Sequence, residues 1–179
     1  MADTRRHIRA ALLAILMVTL LAACSNGLNG AGSISSAPPV GVPVDVQDLD
    51  IVSGQTIYVP AYSEVPYTGA GRRLELLVTL SIHNTDLTRP IVLASARYYS
   101  ADGQLVEEYL AEPRTLPPLA STEFVVPLGQ GYGVGTNFIV EWVAEEPVYE
   151  PVVEALMINT TGAQGISFSS PGRVISQIE

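Results

Sequence analysis

Hydrophobic and polar residues alternate most regularly between Arg73 and His83. The apolar positions are Leu74, Leu76, Val78, Leu80 and Ile82, and only Leu77 is out of place. A period of two over this length is typical of a β-strand that buries one face and exposes the other. The segment is therefore predicted to be a half-buried strand.

About eight strand candidates recur along the chain, and no segment has a convincing helical period. Besides the first, they are Gln55–Pro60, Ile91–Tyr99, Gln104–Leu110, Thr122–Pro127, Thr136–Val143, Val152–Asn159, Ile166–Ser169 and a short last segment, Arg173–Ile178. Frequent turn residues between short strands predict an all-β fold, an antiparallel β-sandwich of immunoglobulin-like architecture. A small β-barrel is the alternative, and Trp142 is expected in the core.

Proline and glycine give three local expectations. Asp102-Gly103 predicts a tight hairpin turn, because the glycine tolerates a positive φ. Pro60 lacks a backbone N–H and suits an edge strand. The glycine-rich loop 129–135 precedes a strand rather than a helix, so it is interpreted as a hairpin tip and not as a phosphate-binding loop.

The N-terminal residues have the pattern of a lipoprotein signal. Three arginines precede an uncharged apolar run, Ala10–Leu21, and then Leu21-Ala22-Ala23-Cys24. The run is shorter than the ~20 residues of a membrane-spanning helix. Cys24 is the only cysteine. Residues 1–23 are therefore predicted to be a lipoprotein signal peptide, with Cys24 lipidated by fatty acids such as palmitate; a plain secretory signal is the alternative.

The rest of the chain is predicted to divide into a tether and one domain. Residues 24–44 are rich in glycine, serine and proline and are expected to be a flexible tether, whereas residues 45–179 form the sandwich. Contact with the membrane is expected through the lipid on Cys24. Ser25 permits release to an outer membrane. The expected location is the cell envelope, at the periplasmic face of the outer membrane or at the cell surface.

The charge of the chain excludes one class of partner. The formal net charge is −9, and no lysine is present. Removal of the signal, with one acid and three arginines, leaves 17 acidic and 6 basic residues, or −11. Nucleic-acid binding needs basic clusters that neutralise phosphates. No nucleic-acid partner is therefore expected.

No cofactor or metal is expected. His83 is the only histidine after the signal, and the lipid consumes the single thiol, whereas zinc sites draw on several such ligands. Asp45, Asp48 and Asp50 lack the spacing and glycine of an EF-hand loop. A calcium site made of carboxylates alone stays open.

Tyrosines supply the candidate partner surface. Tyr58, Tyr62 and Tyr67 lie close together in sequence with Pro60 and Pro66. Tyrosine is enriched in interfaces because it offers a large amphipathic area. The three rings are candidates for binding a protein or an envelope polymer; alternatively, they cover the end of the sandwich.

The alternative function is an envelope hydrolase that uses His83. Asp86 is near it in sequence and could orient the imidazole, and serines are plentiful. However, no Gly-x-Ser-x-Gly nucleophile elbow is present. The sequence therefore predicts no catalytic residues and favours a binding or assembly module over an enzyme.

Several segments resemble an uncharacterised bacterial family of exported or lipid-anchored domains, domain of unknown function 3124. They are Gly54–Pro60, Leu80–Asp86, Arg97–Gly103, Ser121–Val126, Asn137–Trp142 and Gly165–Phe168. The resemblance runs from about Gly54 to Ile175. It implies an envelope domain without an assigned activity.

The lipid anchor can be tested by substituting Cys24. Without the thiol, no diacylglyceryl group can be attached, so Cys24→Ala should incorporate no labelled fatty acid and should remain uncleaved by the lipoprotein-specific peptidase. The measurement is incorporation of labelled palmitate into the wild type and the variant. Label in the variant would contradict the prediction.

Overall fold

A computed structural model describes residues 41–67, 69, 71–130, 132–161 and 165–178. In these residues the protein is all-β, and its antiparallel sheets do not close into a barrel. The predicted antiparallel sandwich is therefore confirmed, and the alternative of a small barrel is wrong. Among the described residues, no helix is long and apolar enough to cross a membrane.

Twelve strands and one short 3-10 helix, Val46–Asp48, make up the described secondary structure. The strands are β1 (Ser53–Pro60), β2 (Glu64–Pro66), β3 (Arg73–Glu75), β4 (Leu77–His83), β5 (Ile91–Tyr99), β6 (Leu105–Glu108), β7 (Arg114–Leu116), β8 (Ser121–Val126), β9 (Asn137–Ala144), β10 (Val152–Asn159), β11 (Ile166–Pro171) and β12 (Arg173–Ile178). The six-stranded sheet has the order β12-β1-β9-β5-β6, with β7 also paired to β5. The four-stranded sheet has the order β11-β10-β4-β8, and β2 and β3 form a separate pair.

The two larger sheets bury their inward faces in one hydrophobic cluster. Val78, Leu80 and Ile82 of β4 are fully buried, as are Phe138 and Val140 of β9. Trp142 is 2% exposed, which confirms its expected place in the core. Its indole Nε1 donates to Gln55 Oε1 at 3.2 Å, so the one polar atom of the ring is paired.

The alternating segment Arg73–His83 is two strands rather than one. The break falls at Leu76, whose N–H donates to the carbonyl of Ser63 at 2.8 Å. Before the break β3 pairs with β2, and after it β4 pairs with β8 and β10. The side-chain alternation continues across the break, so the sequence pattern does not reveal the change of partner.

The prediction that Gln55–Pro60 is an edge strand is wrong. The strand that contains it, β1, pairs with β12 on one side and β9 on the other. Pro60 is tolerated because it is the last residue of the strand, opposite Asn137, where the ladder ends.

The N-terminal boundary of the described domain lies earlier than residue 45. Thr115 N donates to Val42 O at 3.0 Å, and Val44 N donates to Pro113 O at 3.0 Å. Gly41 has φ +109°, and a Cβ there would lie 1.5 Å from the Thr115 carbonyl oxygen. Residues 41–44, predicted as part of the tether, therefore dock against β7.

The glycine-rich loop 129–135 is not a hairpin tip. It follows β8 of the four-stranded sheet and precedes β9 of the six-stranded sheet, so it belongs to a connection that crosses the sandwich. The Asp102-Gly103 turn, by contrast, joins β5 to its partner β6, and Gly103 has φ +79°. That hairpin prediction is confirmed.

A second crossing depends on Gly172, which joins β11 of one sheet to β12 of the other. Its N–H donates to Val153 O at 2.8 Å. A Cβ added here would lie 2.6 Å from Ile57 Cγ2 and 2.8 Å from the Val153 oxygen. Because real Cβ contacts are longer, the strands fit together here only around a glycine.

Gly172→Ala should destabilise the domain by about 1–3 kcal/mol, the usual cost of inserting a methyl group into a packed site. The measurement is the free energy of unfolding in denaturant. Gly165→Ala is the matched control, because a Cβ there meets only Asn159 O at 3.5 Å. Equal effects of the two substitutions would contradict the steric explanation.

Candidate functional site

The structure separates the three predicted tyrosines. Tyr58 lies on β1 and faces away from the core, because its neighbours Ile57 and Val59 are buried. Tyr62 packs against the core, and its ring centroid lies 6.0 Å from that of Phe168. Tyr67 follows β2 and is 55% exposed. Of the three, Tyr62 has the contacts expected of a ring that covers the end of the sandwich.

The outward side of the six-stranded sheet places Tyr58 among residues that the sequence did not single out. Tyr58 pairs with Ile139 of β9, which pairs in turn with Arg97 of β5. Two residues further along β5, Tyr99 pairs with Asn137. Paired residues project from the same side of a sheet, and all five are partly exposed. We call Tyr58, Asn137, Ile139, Arg97 and Tyr99, with the carboxylates described next, the outer face.

One ion pair holds the Arg97 guanidinium on the outer face, and a second carboxylate lies nearby. Arg97 Nη2 lies 2.8 Å from Glu141 Oε2, whereas its Nε lies 3.9 Å from Glu108 Oε2, too far for a hydrogen bond, and has no hydrogen-bond partner among the described residues. Glu141 Oε2 also accepts from Ser95 Oγ at 2.6 Å, and Glu108 Oε1 accepts from Ala96 N at 3.2 Å. Such partly exposed pairs add little stability. They do fix the direction of the side chains between the two rings.

The outer face is formally neutral on a strongly acidic protein. Arg173 of β12 pairs with Tyr58 and so projects from the same side. With Arg97 it balances Glu108 and Glu141. The chain as a whole carries −9. The excess of carboxylates therefore lies elsewhere on the protein.

His83 lies on the outward side of the other sheet, near the end of β4. Its Nε2 is 2.7 Å from Ser81 Oγ, so a hydroxyl and an imidazole are within hydrogen-bond distance. The cross-strand partners of Ser81 are Glu123 and Glu154, and those of His83 are Ser121 and Val152. The pair is thus on an open sheet surface. Neither residue is among those that line the three pockets described below.

The Asp86 carboxylate accepts hydrogen bonds from loop backbones, which differs from the orienting role considered for it. Its Oδ1 accepts from the backbone N–H groups of Thr88 and Arg89, each at 2.9 Å. Its Oδ2 accepts from Tyr149 N at 3.2 Å. These bonds, that to Thr88 first, lower the pKa of Asp86 because they favour the charged carboxylate. The carboxylate thus joins the loop after β4 to the loop after β9.

Asn84 adds hydrogen bonds at the same end of the sandwich. We call Asn84 and Asp86, with the loops that they join, the loop clamp. The buried amide Nδ2 of Asn84 donates to the carbonyl oxygens of Arg89 at 2.9 Å and of Leu116 and Pro117 at 3.1 Å each. Its Oδ1 accepts from Asp86 N at 3.0 Å. The sequence segment that resembles the family thus holds three loops together at one end of the sandwich.

Two further tyrosines pack into the core at the opposite end: Tyr98 is fully buried and Tyr109 is half-buried. Burial raises the pKa of Tyr98, because it disfavours the charged phenolate. Its hydroxyl has no hydrogen-bond partner among the described residues. Burial also raises the pKa of Tyr109, whose hydroxyl donates to Val125 O at 3.3 Å. Both therefore stay protonated.

Two described pockets adjoin the loop clamp through Arg89, and a third, more open one of about 470 Å³ lies beside Pro43 and Glu112. The first, of about 120 Å³, is lined by Val92 and Ala144, with Arg89 and Glu146 also in its lining. Arg89 Nε lies 2.8 Å from Glu146 Oε2, so this ion pair occupies part of the lining. In the described part of the chain, no three acidic, histidine or cysteine residues come together as a metal site. Cys24 lies outside the described residues.

Comparison with known families places the chain. The family described as "Protein of unknown function (DUF3124)" matches residues 54–175. The chain belongs to this family. The match confirms the resemblance seen over the same range of the sequence. The DUF3124 match runs from β1 to the first half of β12, and so includes the outer face, the Ser81–His83 pair and the loop clamp.

Other comparisons add no assignment for the DUF3124 chain. No curated protein matches it. It is similar to a solved structure from Thermotoga maritima, described as the crystal structure of Thermotoga maritima 1070. The two chains share 13% identity with a TM-score of 0.37, over 66% of this chain and 92% of that chain. A TM-score this low supports no structural or functional argument.

The loop clamp predicts how the stability of the domain changes at acid pH. The folded-state pKa of Asp86 is lowered, so its contribution is complete above the unfolded-state pKa and is lost as the pH falls through the folded-state pKa. Asp86→Asn should therefore be less stable than the wild type near neutral pH, and the gap should narrow in acid. Unfolding free energies measured from about pH 6 to about pH 2 test this. A gap that stays constant across that range would contradict it.

Proposed function

We propose that this protein is a lipid-anchored binding module of the cell envelope that takes a protein or an envelope polymer on its outer face. The observation that carries the proposal is the arrangement of Tyr58, Ile139, Arg97 and Tyr99 on one side of the six-stranded sheet. Tyrosine and arginine are enriched at the energetic centres of interfaces. Here both occur together on a formally neutral surface.

The scaffold under the outer face supports this role. Each of Tyr58, Ile139 and Arg97 lies between two buried residues of its own strand, so the core holds the backbone of β1, β9 and β5 at these positions. Arg97 is further held by its ion pair with Glu141. Binding groups fixed before a partner arrives lose less conformational entropy on association. A rigid sheet surface therefore suits recognition better than a mobile loop would.

The predicted lipid on Cys24 supplies the membrane part of the proposal. A diacylated or triacylated cysteine holds a protein at a membrane through its buried CH₂ groups, each worth ~0.8 kcal/mol. The protein would then act at the envelope, at the periplasmic face of an outer membrane or at the cell surface. The described domain begins beside β7, where residues 41–44 dock.

An envelope hydrolase that uses His83 is the second candidate, and one observation favours it. Ser81 Oγ lies 2.7 Å from His83 Nε2, the geometry of a nucleophile and its base. Asp86, considered as the orienting acid, instead accepts backbone N–H groups of two loops. The pair also lies on an open surface and not in a cleft. The binding module is therefore the better supported function.

The proposal predicts which tyrosines matter for partner capture. Tyr58→Ala and Tyr99→Ala should each weaken recovery of a partner from the cell's own membranes, by about 2 kcal/mol or more if the ring is an anchor. The melting temperature should change little, because both rings are partly exposed. The measurement is quantitative affinity recovery with the full-length, lipidated protein, together with thermal unfolding of each variant.

Three control variants separate the alternatives. Tyr62→Ala should lower the melting temperature, since Tyr62 packs on Phe168. Tyr67→Ala tests the remaining member of the predicted surface. His83→Ala should leave partner recovery intact. Unchanged recovery with both Tyr58→Ala and Tyr99→Ala would reject the outer face, and a cellular defect confined to His83→Ala and Ser81→Ala would favour the hydrolase.

A further inference from the structure

We infer that the outer face binds a neutral glycan strand, with Tyr58 and Tyr99 as stacking platforms. This inference rests on the proposed function and names the class of ligand for the same surface. Three observations bear on it: the spacing of the two rings, the hydrogen-bonding groups around them, and the charge of the face compared with that of the whole protein.

The two rings are placed for successive units of an extended ligand. Tyr58 is on β1 and Tyr99 on β5, with β9 between them, and their partners Ile139 and Asn137 are two residues apart. Two strand spacings and two residues along the strand put the backbones roughly 12 Å apart. A short run of linked sugar rings covers that span. Sugars present apolar C–H faces, and the apolar, electron-rich face of a tyrosine complements them.

The groups around the rings match sugar hydroxyls, each of which both donates and accepts hydrogen bonds. Arg97 offers donors; Glu141 and Glu108 offer acceptors; Asn137 offers both. Ser95 and Glu141 are already joined at 2.6 Å, and Glu141 and Arg97 at 2.8 Å, so these polar groups are fixed in direction. A protein hot spot instead needs an apolar centre from which water is excluded. Between the two rings Ile139 is the one aliphatic residue on the described face, and Leu105, which pairs with Tyr99, lies at its margin.

Charge selects a neutral polymer over a charged one. Arg97 and Arg173 balance Glu108 and Glu141 on the face, so a cationic ligand gains nothing there relative to the acidic remainder of the surface. An anionic polymer is repelled at longer range by a chain of net charge −9. A neutral glycan is not repelled by the negative charge of the protein and needs no opposite charge on the face.

Calorimetric titration of the full-length lipidated protein tests the inference, in micelles of a zwitterionic detergent that contains no sugar. The probes are chitohexaose and cellohexaose as neutral glycans, and a polygalacturonate oligomer as the anionic one. At least one neutral probe should bind, and the anionic probe should bind much more weakly or not at all. Tyr58→Ala and Tyr99→Ala should each weaken binding of that neutral probe at least ~10-fold.

Matched variants keep the result interpretable. Tyr149→Ala removes a ring that is 73% exposed but lies outside the face, and it should leave binding unchanged. Tyr58→Phe keeps the stacking ring and should retain most of the affinity. Glu141→Gln keeps the fold of the sheet and removes one charge-assisted acceptor, so it should weaken binding of a neutral probe.

Failure of the glycan inference differs from failure of the proposed function. If neither neutral probe binds the wild type at millimolar concentration, while Tyr58→Ala and Tyr99→Ala still reduce capture of a membrane partner, the face binds a protein and the glycan class is wrong. The inference is also overturned if polygalacturonate binds as well as the neutral probes, or if the two tyrosine substitutions leave neutral-probe binding unchanged.

Discussion

The alternation of buried and outward side chains along the central strands of the two sheets is the constraint on which the rest of the structure depends. In β1, the burial of Ile57 and Val59 leaves Tyr58 on the other side. In β5, burial of Tyr98 leaves Arg97 and Tyr99 outside. A slip of one residue in β5 would turn Arg97 into the core and Tyr98 out of it, and burial of an unpaired charge is costly. The outer face is thus determined by what the core requires.

Buried polar side chains hydrogen-bond the loops at the ends of the strands. The Asn84 amide donates to backbone carbonyls of neighbouring loops, and the Asp86 carboxylate accepts from backbone N–H groups. Gln55 accepts from the Trp142 indole, and its Nε2 donates to Glu150 Oε1 at 2.6 Å. Backbone groups in buried loops need such partners, because each unpaired group costs ~1–3 kcal/mol. Among the described residues, the Tyr98 hydroxyl and Arg97 Nε are buried polar atoms without a hydrogen-bond partner. The Tyr98 ring packs against Phe138, with 4.8 Å between the ring centroids.

These features connect the fold to the proposed activity. Hydrogen bonds of Asn84 and Asp86 hold the loops at one end, and buried neighbours hold the strands that carry the outer face, so the sheet offers a fixed surface for recognition. The edge strand β12 takes part in this surface through Arg173, and its position depends on the close crossing at Gly172. Residues far from the two tyrosines therefore contribute to the outer face by holding its outermost strand.

Local sequence determined much of the secondary structure and little of its arrangement. Alternation identified β4, and Asp102-Gly103 identified the β5–β6 turn, because each is a property of consecutive residues. The short strands β2 and β7 were not predicted, because three residues are too few to show a period. The strand β1 was wrongly assigned to an edge on account of Pro60, because a proline at the last position of a strand does not prevent the earlier residues from pairing on both sides. Family membership over residues 54–175 was also legible from the sequence.

Only the tertiary structure decided which tyrosines share a surface. Tyr58, Tyr62 and Tyr67 are neighbours along the chain, yet one lies on the outer face, one packs on Phe168 and one follows β2. The residues that accompany Tyr58, namely Ile139, Arg97 and Tyr99, come from strands far away in sequence. In the same way, His83 and Asp86 are close in sequence, whereas in the fold the Asp86 carboxylate accepts hydrogen bonds from loop backbone N–H groups. Pairing between distant strands depends on the packing of whole sheets, and no pattern within a single strand contains that information.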